Sequence, residues 1–374
     1  MWKSWAIFIG LGFSLVAGQA GDSKKSSAAD ALFNGSTIRT FQLEVPEAGL
    51  AALRQGNHAY VRGTLREGGV VLRDVGVRLK GHASFQPVDR KPSFALKLNE
   101  FVSGQEYCGL GKLVFNNSAQ DASYLREQLA ARLYQDAGLP APRITHACVQ
   151  FNGRDLGLYV LVEPTNKGFL KREFGAAGGN LYEGETKDMD QKLDQENGDD
   201  TSQRDLQALV TAAKAPVAGR MEKLRAVLDV DGFASFLAME MLTAGIDGYA
   251  FTRNNYRIYH HPTTGRLVFF PHGLDATFGS AGFQPPTNSL LVRALWELPE
   301  FQKQYQTKLG ELGQQVWKLE VLTNRVQSAV TKLINAAPTP ALAAQIEREA
   351  KTLCHQMTQQ QQFIATEIKR GGKK

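Results

Sequence analysis

The chain has 374 residues and a mass of 41.1 kDa, enough for one large domain or two lobes. A hydrophobic share of 43% excludes general disorder. The formal charge of +6 comes without any basic stretch interleaved with stacking aromatics, which argues against a nucleic-acid surface.

Residues 1–20 read as a signal peptide. Lys3 supplies the positive start, residues 5–17 form a short apolar core, and Gly18-Gln19-Ala20 places small residues before a cut ahead of Gly21. That core is too short for a comfortable membrane span. The expectation is export to the periplasm, the medium or the cell surface, with no integral span after cleavage. Residues 21–37 are small and polar and read as a flexible leader. Strand-like segments then dominate. Thr37–Val45 alternates, Ala59–Arg66 and Val70–Lys80 form a hairpin around Glu67-Gly-Gly, Ser93–Leu98 alternates, and Lys112–Phe115 is a short candidate. A helix is predicted over Asp121–Ala137, with Asp121 as N-cap and Gly138-Leu-Pro as stop. Ile144–Phe151 and Leu156–Glu163 follow as a hairpin on Asn152-Gly153.

Glu183–Asp205 is acidic and polar and is expected to be a mobile surface loop. It superficially resembles a calcium loop, but counted from Asp188 it lacks Gly at the sixth position and Glu at the twelfth. Helices dominate from Asp205 onward, interrupted by one hairpin, Asn255–His260 with Arg266–Phe270. A β-rich first half and an α-rich second half make an α+β chain. The three cysteines, Cys108, Cys148 and Cys354, include no C-x-x-C pair, which argues against a structural zinc site.

Among familiar catalytic signatures, the chain lacks G-x-x-x-x-G-K-[ST], G-x-S-x-G, H-E-x-x-H and a G-x-G-x-x-G before a helix. What remains is a set of polar residues set into ordered segments. Lys80 ends a strand and turns through Gly81 and small residues to Ser84, either an ordinary loop or a phosphate cradle. Lys97 alternates with Phe94 and Leu96, either solvent face or phosphate partner. Glu127 sits mid-helix, and Glu163 ends a buried strand before Pro164. Asp247 leaves a hydrophobic helix, Asn255 starts the next strand, and Asp275 follows that strand's hairpin partner. Asp275 is either a helix cap or a metal ligand. An Asp and an Asn offering oxygens to Mg²⁺, with a second Asp to accept a hydroxyl proton, form the working set of a phosphoryl transferase.

Taken together, RLKGHASF, KPSFALKL, NNSAQDASYLREQLA, NGRDLGLYVLVEP, GNLYEG, DGYAFTRNNYRIY and PHGLDATFG resemble, in order, the CotH kinase-like family, named for spore coat protein H. They span roughly Arg78–Gly279. The resemblance implies an atypical protein-kinase-like two-lobe fold, with residues 38–163 as a β-rich N-lobe and 164–374 as a helical C-lobe. It implies ATP and Mg²⁺ or Mn²⁺ as cofactors, and hydroxyls of secreted or surface proteins as acceptors. Asp247 then matches the catalytic-loop Asp, and Asn255 and Asp275 match the metal ligands. Lys80, Ser84, Lys97, Glu127 and Glu163 are the nucleotide-side candidates, with Glu127 pairing a lysine and Glu163 at the hinge. Three departures stand out. Many relatives read W-D-x-D where this chain has His272-Gly273-Leu274-Asp275, so one acid is missing. Asn255 follows Asp247 by eight residues (255 − 247 = 8), more than in ordinary protein kinases. No glycine-rich G-x-G-x-x-G loop covers the phosphates. These departures leave an alternative from another class: a surface or coat protein using the same fold for structural or adhesive binding, with a degenerate site.

Overall fold

The computed structural model describes residues 27–56 and 59–371. The signal-peptide segment and residues 21–26 of the expected leader lie outside them. The rest of that leader contains a helix, α1 (Ala28–Asn34). Ser27 Oγ accepts the Asp30 N–H at 3.1 Å, and the Asp30 carboxylate accepts the Ser27 N–H at 2.9 Å, a reciprocal cap. Ala29, Leu32 and Phe33 share one face and are buried against the strands. A polar composition hides this i, i+3, i+4 stripe, so a flexible reading of 21–37 fails from Ser27 onward.

Seven strands then close into a barrel. They are β1 (Arg39–Glu44), followed by helix α2 (Glu47–Arg54), then β2 (Val61–Glu67), β3 (Val70–Lys80), β4 (Ser93–Lys97) and β5 (Lys112–Asn116), then helix α3 (Arg126–Asp136), β6 (Ile144–Phe151) and β7 (Arg154–Val162). Their order is β1-β2-β3-β4-β5-β7-β6, and β1 shuts the barrel by pairing parallel to β6, Arg39 with Ala147 through Leu43 with Phe151. The predicted strands are present, and Asn152 and Gly153 both take positive φ, as a tight hairpin turn requires. Asn152 also holds β1, because its side chain accepts from Val45 N–H at 2.7 Å and donates to Val45 O at 2.9 Å. The barrel core is aromatic at its centre, with Phe41 edge-on to Phe115 at 5.1 Å.

Helix α3 starts five residues later than the pattern predicts. Asp121 does cap it, through an intervening turn: Oδ1 accepts the Ser123 N–H at 3.0 Å and Oδ2 accepts the Arg126 N–H at 2.9 Å. Tyr124, at φ +62°, keeps the residues between from continuing the helix.

The second half adds α4 (Lys167–Phe174), β8 (Leu181–Gly184), β9 (Asp194–Asn197), α5 (Arg204–Ala213), α6 (Arg220–Val227), α7 (Val230–Leu242), α8 (Tyr249–Thr252), β10 (Tyr256–His260), β11 (Leu267–Pro271), α9 (Leu290–Trp296), α10 (Pro299–Val316), α11 (Leu319–Ala336) and α12 (Pro340–Gly371). The four strands form one sheet, β11-β10-β8-β9. The acidic segment Glu183–Asp205 is therefore partly strand. It is also anchored: the buried Asp188 carboxylate accepts from Tyr249 Oη at 3.0 Å and from Leu290 N–H at 2.7 Å. A polar strand such as Asp194–Asn197 carries no apolar alternation, which is why its sequence reads as loop. All three cysteines are free thiols, and no helix of the described residues is long and apolar enough to cross a membrane.

Candidate active site

Helix α7 is buried along nearly its whole length and ends by delivering a tight loop to one rim of the second sheet. Ala244 turns the chain at φ +46°, and Asp247 follows. Its Oδ2 accepts from Asn255 Nδ2 at 2.8 Å and from Asn254 Nδ2 at 3.1 Å, while Oδ1 accepts from Thr252 Oγ1 at 3.1 Å. The one-turn helix α8 folds the chain back, so eight residues of separation become a direct contact. Arg253 and Asn255 both sit in the left-handed region, at φ +58° and +49°. Strain of this kind persists only where the surroundings over-determine the backbone.

Asn255 leads into β10 and Asp275 follows β11. Tyr256 pairs with Pro271, so both residues emerge at the same end of the sheet. The His272 N–H donates to Asn255 O at 2.9 Å and fixes that junction. No helix begins after Asp275, since the next starts at Leu290, so the helix-cap reading is overturned. Among the described residues, no other residue donates a hydrogen bond to the Asp275 carboxylate. Burial raises its pKa, and the charges of Asp121 and Asp247 add to that while its own N–H and Lys80 oppose it.

The barrel supplies the facing wall. Lys80 Nζ donates to Asn116 Oδ1 at 2.6 Å, and Asn116 Nδ2 donates to Glu127 Oε2 at 3.0 Å. An amide thus bridges the lysine and the helix glutamate. Burial pushes the Lys80 amine below its ordinary value, opposed by Glu127, Glu183 and Asp275. Burial, then Asp275, pushes Glu127 up to about 7. Ser84 lies on the loop after β3, whose backbone is tied down where Asn117 Nδ2 donates to Ser84 O at 3.1 Å. Lys80, Ser84, Glu127, Asp247, Asn255 and Asp275 all line one cavity of about 580 Å³.

Two sequence candidates lie elsewhere. Lys97 is at the exposed end of β4, paired with Glu100 at 2.6 Å. Lys80 pairs with Ser93 at the other end of β4, four residues or roughly 13 Å from Lys97. Glu163 is buried and fully committed: its carboxylate accepts from Arg143 Nη2 at 2.6 Å, from Arg143 N–H at 2.9 Å and from Arg172. It joins β6, β7 and α4 and holds no capacity for a nucleotide.

Sequence reasoning missed two positioning residues. Glu240 is a carboxylate inside the apolar run of α7, and it accepts the Tyr249 and Ala250 N–H groups at 2.7 and 3.1 Å, anchoring α8 and with it Asp247. A charge in an otherwise apolar buried helix needs a partner, and that was the available signal. Arg126 donates to Thr277 O, just past Asp275, and to Gln356 Oε1 of α12 at 2.9 Å. It ties α3, the Asp275 turn and the last helix together.

The sequence profile described as CotH kinase protein matches residues 77–370. The chain belongs to the CotH family. Inner spore coat protein H of Bacillus subtilis (strain 168) is 24% identical over 266 residues, covering 62% of this chain and 70% of that protein. Among solved structures, the Helicobacter pylori proinflammatory kinase CtkA aligns at a TM-score of 0.34 with 8% identity, over 69% of this chain and 90% of that one. A chain of the Shewanella oneidensis MR-1 toxin–antitoxin complex of HipA, HipB and operator DNA aligns at 0.34 with 12% identity, over 88% and 74%.

Gly273 stands where the family resemblance implies an acid. Gly273 sits at φ +58°, and a Cβ there would stand 2.5 Å from Asn255 Oδ1. Gly273→Asp should therefore displace Asn255 instead of adding a ligand. The expected result is a stability loss of about 1 kcal/mol and no gain in metal affinity, read by a thermal melt beside a Mn²⁺ titration. A tighter Mn²⁺ site in the variant contradicts this.

Glu240 makes stability depend on pH. Burial pushes its carboxyl up to about 8 from an ordinary 4.5, against the two N–H donors. The folded state thus favours the protonated form. That contribution is present in full below pH 4.5 and is lost as pH rises through about 8, at no more than about 1.4 kcal/mol per pH unit. Urea midpoints should fall from pH 5 to pH 8 in the wild type and fall less in Glu240→Gln. Equal slopes would remove Glu240 as the cause.

Proposed function

We propose that this chain is an exported, metal-dependent atypical protein kinase of two lobes, the barrel and the helical half, transferring phosphate from ATP to hydroxyls of secreted or surface proteins. The observation that carries the reading is convergence: Lys80, Glu127, Asp247, Asn255 and Asp275, drawn from both halves of the chain, meet in one cavity.

The residues present fit a nucleotide with its metal. Among the described residues, no three His, Cys, Asp or Glu side chains group closely enough to hold a metal alone. A Mg²⁺ site completed by phosphate oxygens and waters needs only one or two protein ligands. Asp275, half-buried with no other described residue donating to it, suits that role, and the Oδ1 of Asn255 would be the second ligand because its Nδ2 is already given to Asp247. Lys80 would hold phosphate oxygens, kept in place through Asn116. When bound, the metal ion neutralises charge on the transferring phosphoryl group. Asp247 would orient the acceptor hydroxyl and take its proton. Glu240 keeps Asp247 in position, and Arg126 does the same for the Asp275 turn.

A second reading, a coat or surface binding protein with a degenerate site, is favoured by one observation: Gly273 offers no carboxylate where the family resemblance implies one. Incubating purified protein with labelled ATP, Mg²⁺ or Mn²⁺ and a secreted-protein extract separates the two. Metal-dependent label on Ser or Thr of extract proteins is expected. Absence of label with either metal favours the second reading.

A further inference from the structure

Helix α3 serves the candidate active site through Glu127, but Gln128, Arg132 and Gln135, spaced i, i+4, i+7, form another stripe of the same helix. That stripe lines a second cavity of about 280 Å³, bounded also by α1, β6 and α11. Its described lining holds four cations, Arg132, Arg143, Arg325 and Lys332, and no acidic side chain. Phe33, Leu129 and Ile144 give it an apolar floor.

The cations are short of counter-charge. Arg132 and Arg325 share a single carboxylate, Asp136, at 3.0 and 2.5 Å. Arg143 is paired with Asp30 and Glu163, yet its Nε is buried with no hydrogen-bond partner. Lys332 Nζ donates to Gly35 O at 3.3 Å and has no carboxylate within ion-pair distance among the described residues. Four cations set against three carboxylates, over apolar surface in a concave site, are suited to an anion carrying an apolar body. Guanidinium and ammonium donors match carboxylate and phosphate oxygens.

We infer that this cavity binds a small organic anion, with a carboxylate or phosphate against Arg325 and Lys332 and a compact apolar body on Phe33, Leu129 and Ile144. The volume lies at the low end for small-molecule sites, which limits the body to roughly one ring. This binding does not depend on the phosphoryl-transfer reading, and its readout is direct.

The test is calorimetric titration of the full chain with phenyl phosphate, benzoate, inorganic phosphate and benzyl alcohol. One of the two aryl anions should saturate one site, and which of them binds tighter identifies the headgroup. Inorganic phosphate and benzyl alcohol, each lacking one half, should bind at least about tenfold more weakly. Lys332→Gln gives up only one long hydrogen bond, so it should fold normally and lose affinity about tenfold. Arg325→Gln should lose it as well, and if that variant fails to fold the Lys332→Gln result decides. Lys80→Met should leave aryl-anion binding unchanged, which separates this cavity from the candidate active site. The inference is overturned if neither aryl anion saturates, if Lys332→Gln binds as the wild type does, or if Lys80→Met removes the binding.

Discussion

Asp275→Ala is expected to abolish metal-dependent ATP binding while leaving the protein folded. The carboxylate sits at a turn, half-buried, with no other described residue donating to it, so core packing loses little when it goes. Burial already holds its pKa above the ordinary value, which means the ionised group is costly until a cation joins it. Removing it should therefore remove the proposed metal's main anchor and leave stability within about 1 kcal/mol of the wild type. A purely structural Asp275 predicts the opposite pattern: a measurable drop in melting temperature with ATP affinity intact. Titration of the variant with ATP and Mn²⁺, beside its melt, reads both.

Asp247→Ala should act on a different step. Nucleotide affinity should change only a few-fold, because Asp247 reaches the proposed metal ligand Asn255 indirectly, through the 2.8 Å hydrogen bond. Transfer to protein hydroxyls should fall by about a thousandfold, the scale of a lost general base. Asp247→Asn keeps an oxygen facing Asn255 but cannot take a proton. It should restore the nucleotide affinity and not the transfer. Equal losses of affinity and rate in both variants would make Asp247 a metal-site prop and not a base.

Much of this was readable from the chain, for physical reasons that differ by residue. Strand and helix periodicity locates β3, β4 and α7 because one face of each is buried. The Asn152-Gly153 turn is legible because two adjacent positive φ values demand those residues. Barrel closure is not: β1 meets β6 across more than a hundred residues, and no local pattern encodes that pairing. Within the site, Asp247, Asn255 and Asp275 were accessible because each is a polar residue just outside the end of an ordered apolar element. Lys97 was misplaced because alternation gives a residue's face but not which strand end meets the cavity, and no local pattern shows that Arg143 and Arg172 converge on Glu163 at the junction of β7 and α4. Glu240 escaped because its ligands are backbone N–H groups, which leave no side-chain signature at Tyr249 and Ala250.

We propose the cavity between barrel and helices as a site for ATP with a divalent metal. This is tested most directly by calorimetric titration of the wild-type chain with ATP, first in Mg²⁺ and then in excess EDTA. Saturable one-to-one binding in Mg²⁺ that disappears in EDTA is the expected result. Binding of equal affinity in both conditions, or none in either, would contradict it.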